Sequence, residues 1–459
     1  MFLIADITFS FYQHLSMPLD GDMAGGIIPS EDVKPILKDP FGISVIQKKA
    51  IYPNPNRFFA HWTFYKYFNY FPIYLQRVVN PIESVYLSCA IIKIIIQIAL
   101  IFLLSIYINI DKKKLNKDLI LIATIITPLF QTNGYRSYMG IIDESITYTF
   151  FYALPLTILL LYYLPFYKSW YNNTPFPKNK LLISGLIFLC VFLSFNCPLI
   201  PGITLVITVM FYINYFKQNY LMHEKKYFSN LFLCFFTFMS LLSLYSVYIG
   251  INNPIFSGNS MRIEERYSKI LVGIYSTVTQ KIGYPILLII ICLNISIIKK
   301  YIKDGFANKA LVFFKYIGIF SLFYIFLLPF GGYKEYRPNI LRYDTLMPVT
   351  IALIYIYGFS TYLLIKYFTG KRKNIYALLI IIASGIYTFA DNPEFEKNKC
   401  EKLSLEKISL SSEKIVRLNT NCSILSWGKT TDSINSKLNS KLLRKWQITK
   451  VDKLYYQKY

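Results

Sequence analysis

Long uninterrupted apolar runs constrain this chain more than any other feature. A helix needs ~20 apolar residues to cross a hydrocarbon core of ~30 Å, and "VYLSCAIIKIIIQIALIFLLSIYINI", "LFLCFFTFMSLLSLYSVYIGI" and "TLMPVTIALIYIYGFSTYLLI" meet that need. Composition agrees: only 16% of the 459 residues are charged, against about 25% in an average soluble domain. The chain therefore reads as an all-α polytopic membrane protein.

Its formal charge of +24 would suit a nucleic-acid partner if the cations were gathered on one surface. They are spread instead through the short breaks "DKKKLNK", "KSWYNNTPFPKNK", "KQNYLMHEKK", "KKYIKDGFANK" and "GKRKN". Short basic loops mark the cytoplasmic face of a membrane protein, so no nucleic acid is expected. Crossings are expected near 84–110, 118–131, 145–166, 181–195, 198–216, 229–251, 284–298, 310–328, 345–367 and 374–390. "MFLIADITFSFYQHL" adds an eleventh. It is short for a span, so either it tilts into a thinned bilayer or it is what remains of a longer first helix.

This alternation divides the chain into a membrane domain, 1–390, and an outer soluble piece, 391–459. Residues 16–83 form a long first outer loop. It is rich in aromatic residues ("NRFFAHWTFYKYFNYFPIY") and is expected to lie along the interface as amphipathic helices. "MRIEERYSKILVGIYSTV", with apolar residues at 263, 267, 270, 271 and 274, is expected to do the same. The tail turns to lysine, serine and short β-branched runs ("KIVRLNT", "CSILSW") and reads as a small α/β appendage. Cys400 and Cys422 in it are candidates for a disulfide in an oxidising compartment, with Cys197 at an outer tip as a competing thiol. The chain is thus expected in a cell inner membrane with its tail outside.

Polar side chains gather in the outer segments. Asp20, Asp22, Arg57 and His61 lie in the first loop, Arg136, Asp143 and Glu144 in the next, and Lys334, Glu335, Arg337, Arg342 and Asp344 in a late one. Carboxylates can accept a proton or bind a cation, and arginines grip phosphate oxygens at two points. Lys93 lies well inside a span. An ionisable group at that depth is either functional or a snorkelling residue reaching the interface.

An acidic "LDGD" directly after the first span, a long first outer loop, about eleven spans and an outer tail resemble the GT-C glycosyltransferases. The resemblance covers the architecture of nearly the whole chain, while "LDGD" alone anchors it at residue level. It implies transfer of a sugar from a polyprenyl-phosphate carrier in the lipid bilayer to a glycan, lipid or protein acceptor. It further implies that Asp20 or Asp22 acts as general base, or that the pair binds a divalent cation such as Mg or Mn. Lys334, Arg337, Arg342, Arg136, Arg57 and His61 are the candidates for the carrier phosphate. Asparagine at either aspartate is then expected to abolish transfer without changing membrane insertion. Three other readings use the same features: a lipid-linked oligosaccharide flippase or transporter, a polysaccharide polymerase or ligase, and a non-catalytic membrane scaffold.

Overall fold

The computed structural model describes residues 1–110, 116–217, 230–254, 261–331 and 339–458. Among them the chain is mostly helical, and eight helices are long and apolar enough to cross a membrane. These are α3 (Pro81–Ile108), α5 (Ile146–Tyr171), α7 (Leu199–Phe216), α8 (Asn230–Ile251), α10 (Gly283–Tyr301), α11 (Gly305–Leu327), α12 (Tyr343–Tyr367) and α13 (Gly370–Ala390). The remaining three expected crossings fall on shorter helices: α1 (Phe2–Leu15), α4 (Lys117–Ile126) and α6 (Lys180–Ser194). Each is shorter than the ~20 residues a straight crossing requires. A multi-pass helical membrane protein is the architecture; a count of eleven goes beyond it.

Local signals set several of the starts. Asn80 accepts a hydrogen bond from Glu83 N at 2.9 Å with Pro81 at the first helical position of α3, and Asp304 caps α11 through Ala307 N at 2.7 Å. Both are standard ways to satisfy orphan N–H groups at a helix start. Helix α12 is the hub: 83% of its most apolar stretch is buried, against 11% for α11. Within the bundle, Asn294 of α10 donates to Ser360 and Thr361 of α12 at 3.0 and 3.1 Å and accepts from Tyr376 of α13 at 2.8 Å. Where lipid replaces water, such polar knots take over part of the work that apolar burial does in soluble cores.

Two ends of the bundle differ. At one end Lys309 reaches the carbonyl of Tyr171, Tyr367 bonds to the carbonyl of Tyr301, and Lys366 pairs with Asp118; the described basic breaks belong here. At the other lie the first long loop and the C-terminal segment. The loop carries short helical turns and then α2 (Phe58–Leu75). The stretch expected to be amphipathic forms α9 (Ile263–Thr279), which buries Ile270, Gly273 and Thr277 and exposes Leu271, Val272 and Tyr275.

The C-terminal segment contains α14 (Lys399–Leu410), α15 (Lys437–Lys445) and a two-stranded parallel sheet, β1 (Ile415–Leu418) with β2 (Leu454–Gln457). Ile415 registers with Leu454 and Leu418 with Gln457. The first β-branched run is therefore a strand, but its partner is "LYYQ" and not "CSILSW". The latter is held as an irregular loop: Leu425 sits at φ +48°, its N–H donates to Glu401 at 2.8 Å, and its carbonyl accepts from Asn439 at 3.1 Å. Cys400 and Cys422 are bonded, tying this loop to α14, while Cys197 is a buried free thiol.

Glu401 fastens the segment to the bundle. Its carboxylate also accepts from Leu19 N and from the Tyr86 hydroxyl, both at 2.8 Å. Burial pushes its pKa up to about 7, against those three hydrogen bonds and helped by the nearby charge of Asp20. An acid with a folded pKa above its ordinary 4.5 binds its proton more tightly when folded. Attachment should therefore strengthen as pH falls from about 7 to 4.5 and level off below. The gain is of order ~3 kcal/mol. Thermal unfolding of wild type and Glu401→Gln across pH 8 to 4 checks this: the slope over that window should be clearly smaller in the variant, the remainder coming from other buried acids such as Asp143.

Candidate functional site

At the end of the bundle that carries the C-terminal segment, a cavity of about 380 Å³ opens between the starts of α5 and α12, the first loop and the tail. Asp20, Arg136, Asp143 and Glu144 line it together with Tyr148, Tyr343, Ser423, Ser426 and Trp427. Sequence positions more than 400 apart thus meet in one polar space.

Asp20 is buried and fully engaged. One carboxylate oxygen accepts from Asp22 N at 3.0 Å and Thr147 Oγ1 at 2.8 Å; the other accepts from Ser145 Oγ at 2.7 Å and Thr147 N at 2.9 Å. Directly after this grip the helix takes a π turn at Thr149–Ala153, the kind of irregularity that recurs at functional sites. Two oxygens offer about four acceptor positions, and all four are filled by donors from the chain. That donor set does not fit a divalent cation at Asp20. Among the described residues, no group of three or more His, Cys, Asp or Glu side chains could hold a metal ion.

Asp22 faces elsewhere. It stands at the rim and accepts from Trp427 Nε1 at 3.1 Å, so the two aspartates do not share the cavity. Gly21 between them is required for space: a Cβ there would lie 2.6 Å from both the backbone nitrogen and Cδ1 of Trp427.

Asp143 is held less fully than Asp20, by Ser145 and by the hydroxyl of Tyr343. One oxygen accepts from Ser145 N at 2.6 Å, while Oδ2 is buried with no hydrogen-bond partner among the described residues. Burial raises its pKa, with Tyr343, the Ser145 N–H, Arg136 and Lys93 pulling the other way. Arg136 lines the same space, bonds Glu144 at 2.6 Å, and likewise has a buried nitrogen, Nε, with no partner among the described residues. Buried polar groups in folded proteins are nearly always satisfied; this donor and this acceptor belong to residues that line the cavity but are themselves shut off from water, so a ligand would meet them only after a small shift of the lining side chains. Lys397 adds a second cation on Glu144 at 2.6 Å, and Glu144 has a lowered pKa because these two charges outweigh its burial.

The other expected residues fall into three groups. Arg342 is not among the residues that line the cavity. It pairs with Asp344, through Nε at 3.1 Å and through a second nitrogen, and its charge acts on Tyr148 and Tyr343. Arg57 and His61 lie apart, at the start of α2: His61 is buried against Phe151 at 4.8 Å, and burial followed by the charge of Arg57 lowers its pKa to about 3. Lys334, Arg337 and Glu335 lie outside the described residues. Lys93 is buried under the cavity floor, with Nζ donating to the carbonyl of Glu144 at 2.6 Å and touching Met17 Sδ at 3.4 Å. It does not snorkel.

A second cavity, of about 330 Å³, lies within the bundle and is almost wholly apolar and aromatic. It shares two walls with the first. Helix α5 presents Tyr148 to the polar space and Leu156 to the apolar one; α12 presents Tyr343 and then Pro348 and Ile351. At a rise of ~1.5 Å per residue the two spaces are separated by about 8–12 Å along these helices.

Sequence reasoning placed Asp143 in the outer polar cluster but gave it no specific role, and had no reason to choose Trp427. "IIDES" carried a usable signal, a carboxylate beside apolar residues that must be buried; nothing local in "CSILSW" indicates that its indole meets Asp22. Compared with family models, curated proteins and solved structures, the chain matches none.

Proposed function

We propose that this protein is a membrane transferase of the GT-C type, moving a sugar from a polyprenyl-phosphate carrier to an acceptor at the external face of the membrane. One observation carries the reading: a polar cavity lined by the buried carboxylate of Asp143 and by Arg136 is stacked on an apolar cavity along the same two helices. A polar head on a long hydrocarbon chain fits that sequence of environments. In this scheme Asp143 takes the proton of the acceptor hydroxyl as general base, while Arg136 stabilises charge on the departing phosphate. Asp20 holds the Ser145–Thr147 start of α5 in place, and Lys93 supports it from below. The cavity end is assigned to the outside because the basic breaks lie at the opposite end.

Proteoliposomes supplied with a panel of radiolabelled polyprenyl-phosphate sugars and crude envelope acceptor test this. Transfer of label to a lipid-free or new lipid product is the expected result. Movement of the lipid between leaflets without any glycosyl product would replace it with the flippase reading.

A further inference from the structure

Trp427 presents an unusual combination. The indole is 60% exposed, yet its placement is tightly specified. Its N–H is held by Asp22 at 3.1 Å, its ring lies 6.0 Å from Tyr148, and its backbone is pressed against Gly21. The loop that carries it is fixed by Glu401, Asn439 and the Cys400–Cys422 bond. A large aromatic that is rigidly supported and left open is not serving the core. Ser423 and Ser426 of the same loop line the polar cavity beside it.

We propose that Trp427, Asp22, Ser423 and Ser426 form a saccharide subsite contributed by the C-terminal segment, in which a sugar ring lies on the open indole face. An apolar ring face supplies contact area for pyranose C–H groups at little conformational cost, and carboxylate and hydroxyl groups at its edge match sugar hydroxyls. The adjoining cavity of about 380 Å³ is near the low end of ligand pockets, which run ~300–1,000 Å³; with the carrier head in the same space, the subsite suits a single sugar unit at its Trp427 edge. The proposal rests on the glycosyl-transfer reading for its role, since this subsite would hold the acceptor; the binding itself does not.

Saturation-transfer NMR on the detergent-solubilised full chain, with methyl hexopyranosides and methyl pentofuranosides as probes, tests it. Ring C–H protons of at least one probe should be saturated by wild type. The signal should fall at least about fivefold in Trp427→Ala and be largely kept in Trp427→Tyr. Equal thermal unfolding of the three proteins separates loss of the platform from loss of fold. No saturation by wild type, or equal saturation by Trp427→Ala, overturns the proposal. So does a variant that changes only insertion into vesicles, which would make Trp427 a membrane anchor. Glycoside binding without any transfer would leave the subsite standing and overturn only the catalytic reading. Transfer with an unchanged acceptor KM in Trp427→Ala would do the reverse.

Discussion

Asp143→Asn is expected to lower sugar transfer by about 10²–10⁴-fold, the usual contribution of a positioned acid–base group, while leaving the protein folded. The amide keeps the shape of the carboxylate and can still accept from Ser145 N, now bonded at 2.6 Å. It removes the negative charge and one basic oxygen, at the cost of weakening the hydrogen bond from the Tyr343 hydroxyl. Because burial raises the pKa of Asp143, the ionised form needed for proton abstraction should appear only above the ordinary carboxylate range. The acid limb of kcat/KM should therefore lie above that range in wild type and vanish from the residual activity of the variant. Steady-state kinetics from pH 4 to 8, beside unfolding midpoints, gives both readouts; wild-type turnover in Asp143→Asn would remove Asp143 from the chemistry.

Asp20→Asn should behave differently, as a stability defect that drags activity with it. Each carboxylate oxygen accepts one backbone N–H, from Asp22 on one side and Thr147 on the other. Whichever way an amide is turned, one of these N–H groups faces an NH₂. A buried donor left in this way costs about 1–3 kcal/mol. Asp20→Ala strands all four donors and should be worse. Thermal unfolding in detergent should place the order as wild type, Asp20→Asn, Asp20→Ala. A fully stable Asp20→Asn with abolished transfer would return Asp20 to a direct catalytic role, as "LDGD" alone suggested.

The apolar runs made the membrane architecture legible, because hydrocarbon length is read directly from the chain. The lysine-rich breaks likewise foretold that the described basic loops share one end. What was hidden depends on contacts between distant segments. Asp20 and Asp22 look equivalent in sequence, and only the approach of Ser145 and Thr147 on one side and Trp427 on the other makes one a strut and the other a rim group. The strand pairing of the tail was half visible: "KIVRL" has the β-branched character of a strand, whereas "CSILSW" has it too but is bent by Leu425 at φ +48°. Lys93 was ambiguous because depth in a span does not say which way a long side chain turns; here it turns inward to the Glu144 carbonyl.

The central claim is that one amphiphile occupies both cavities, head among Asp143 and Arg136, chain among the aromatics below. Photo-crosslinking tests it most directly, using a polyprenyl phosphate with a diazirine near the chain end and mass-spectrometric mapping of adducts in proteoliposomes. Adducts on residues lining the apolar cavity, such as Phe211, Phe313 and Tyr316, competed away by unlabelled polyprenyl phosphate, are the predicted result. Adducts confined to outward-facing positions such as Leu322 and Ile381, insensitive to competitor, would contradict it.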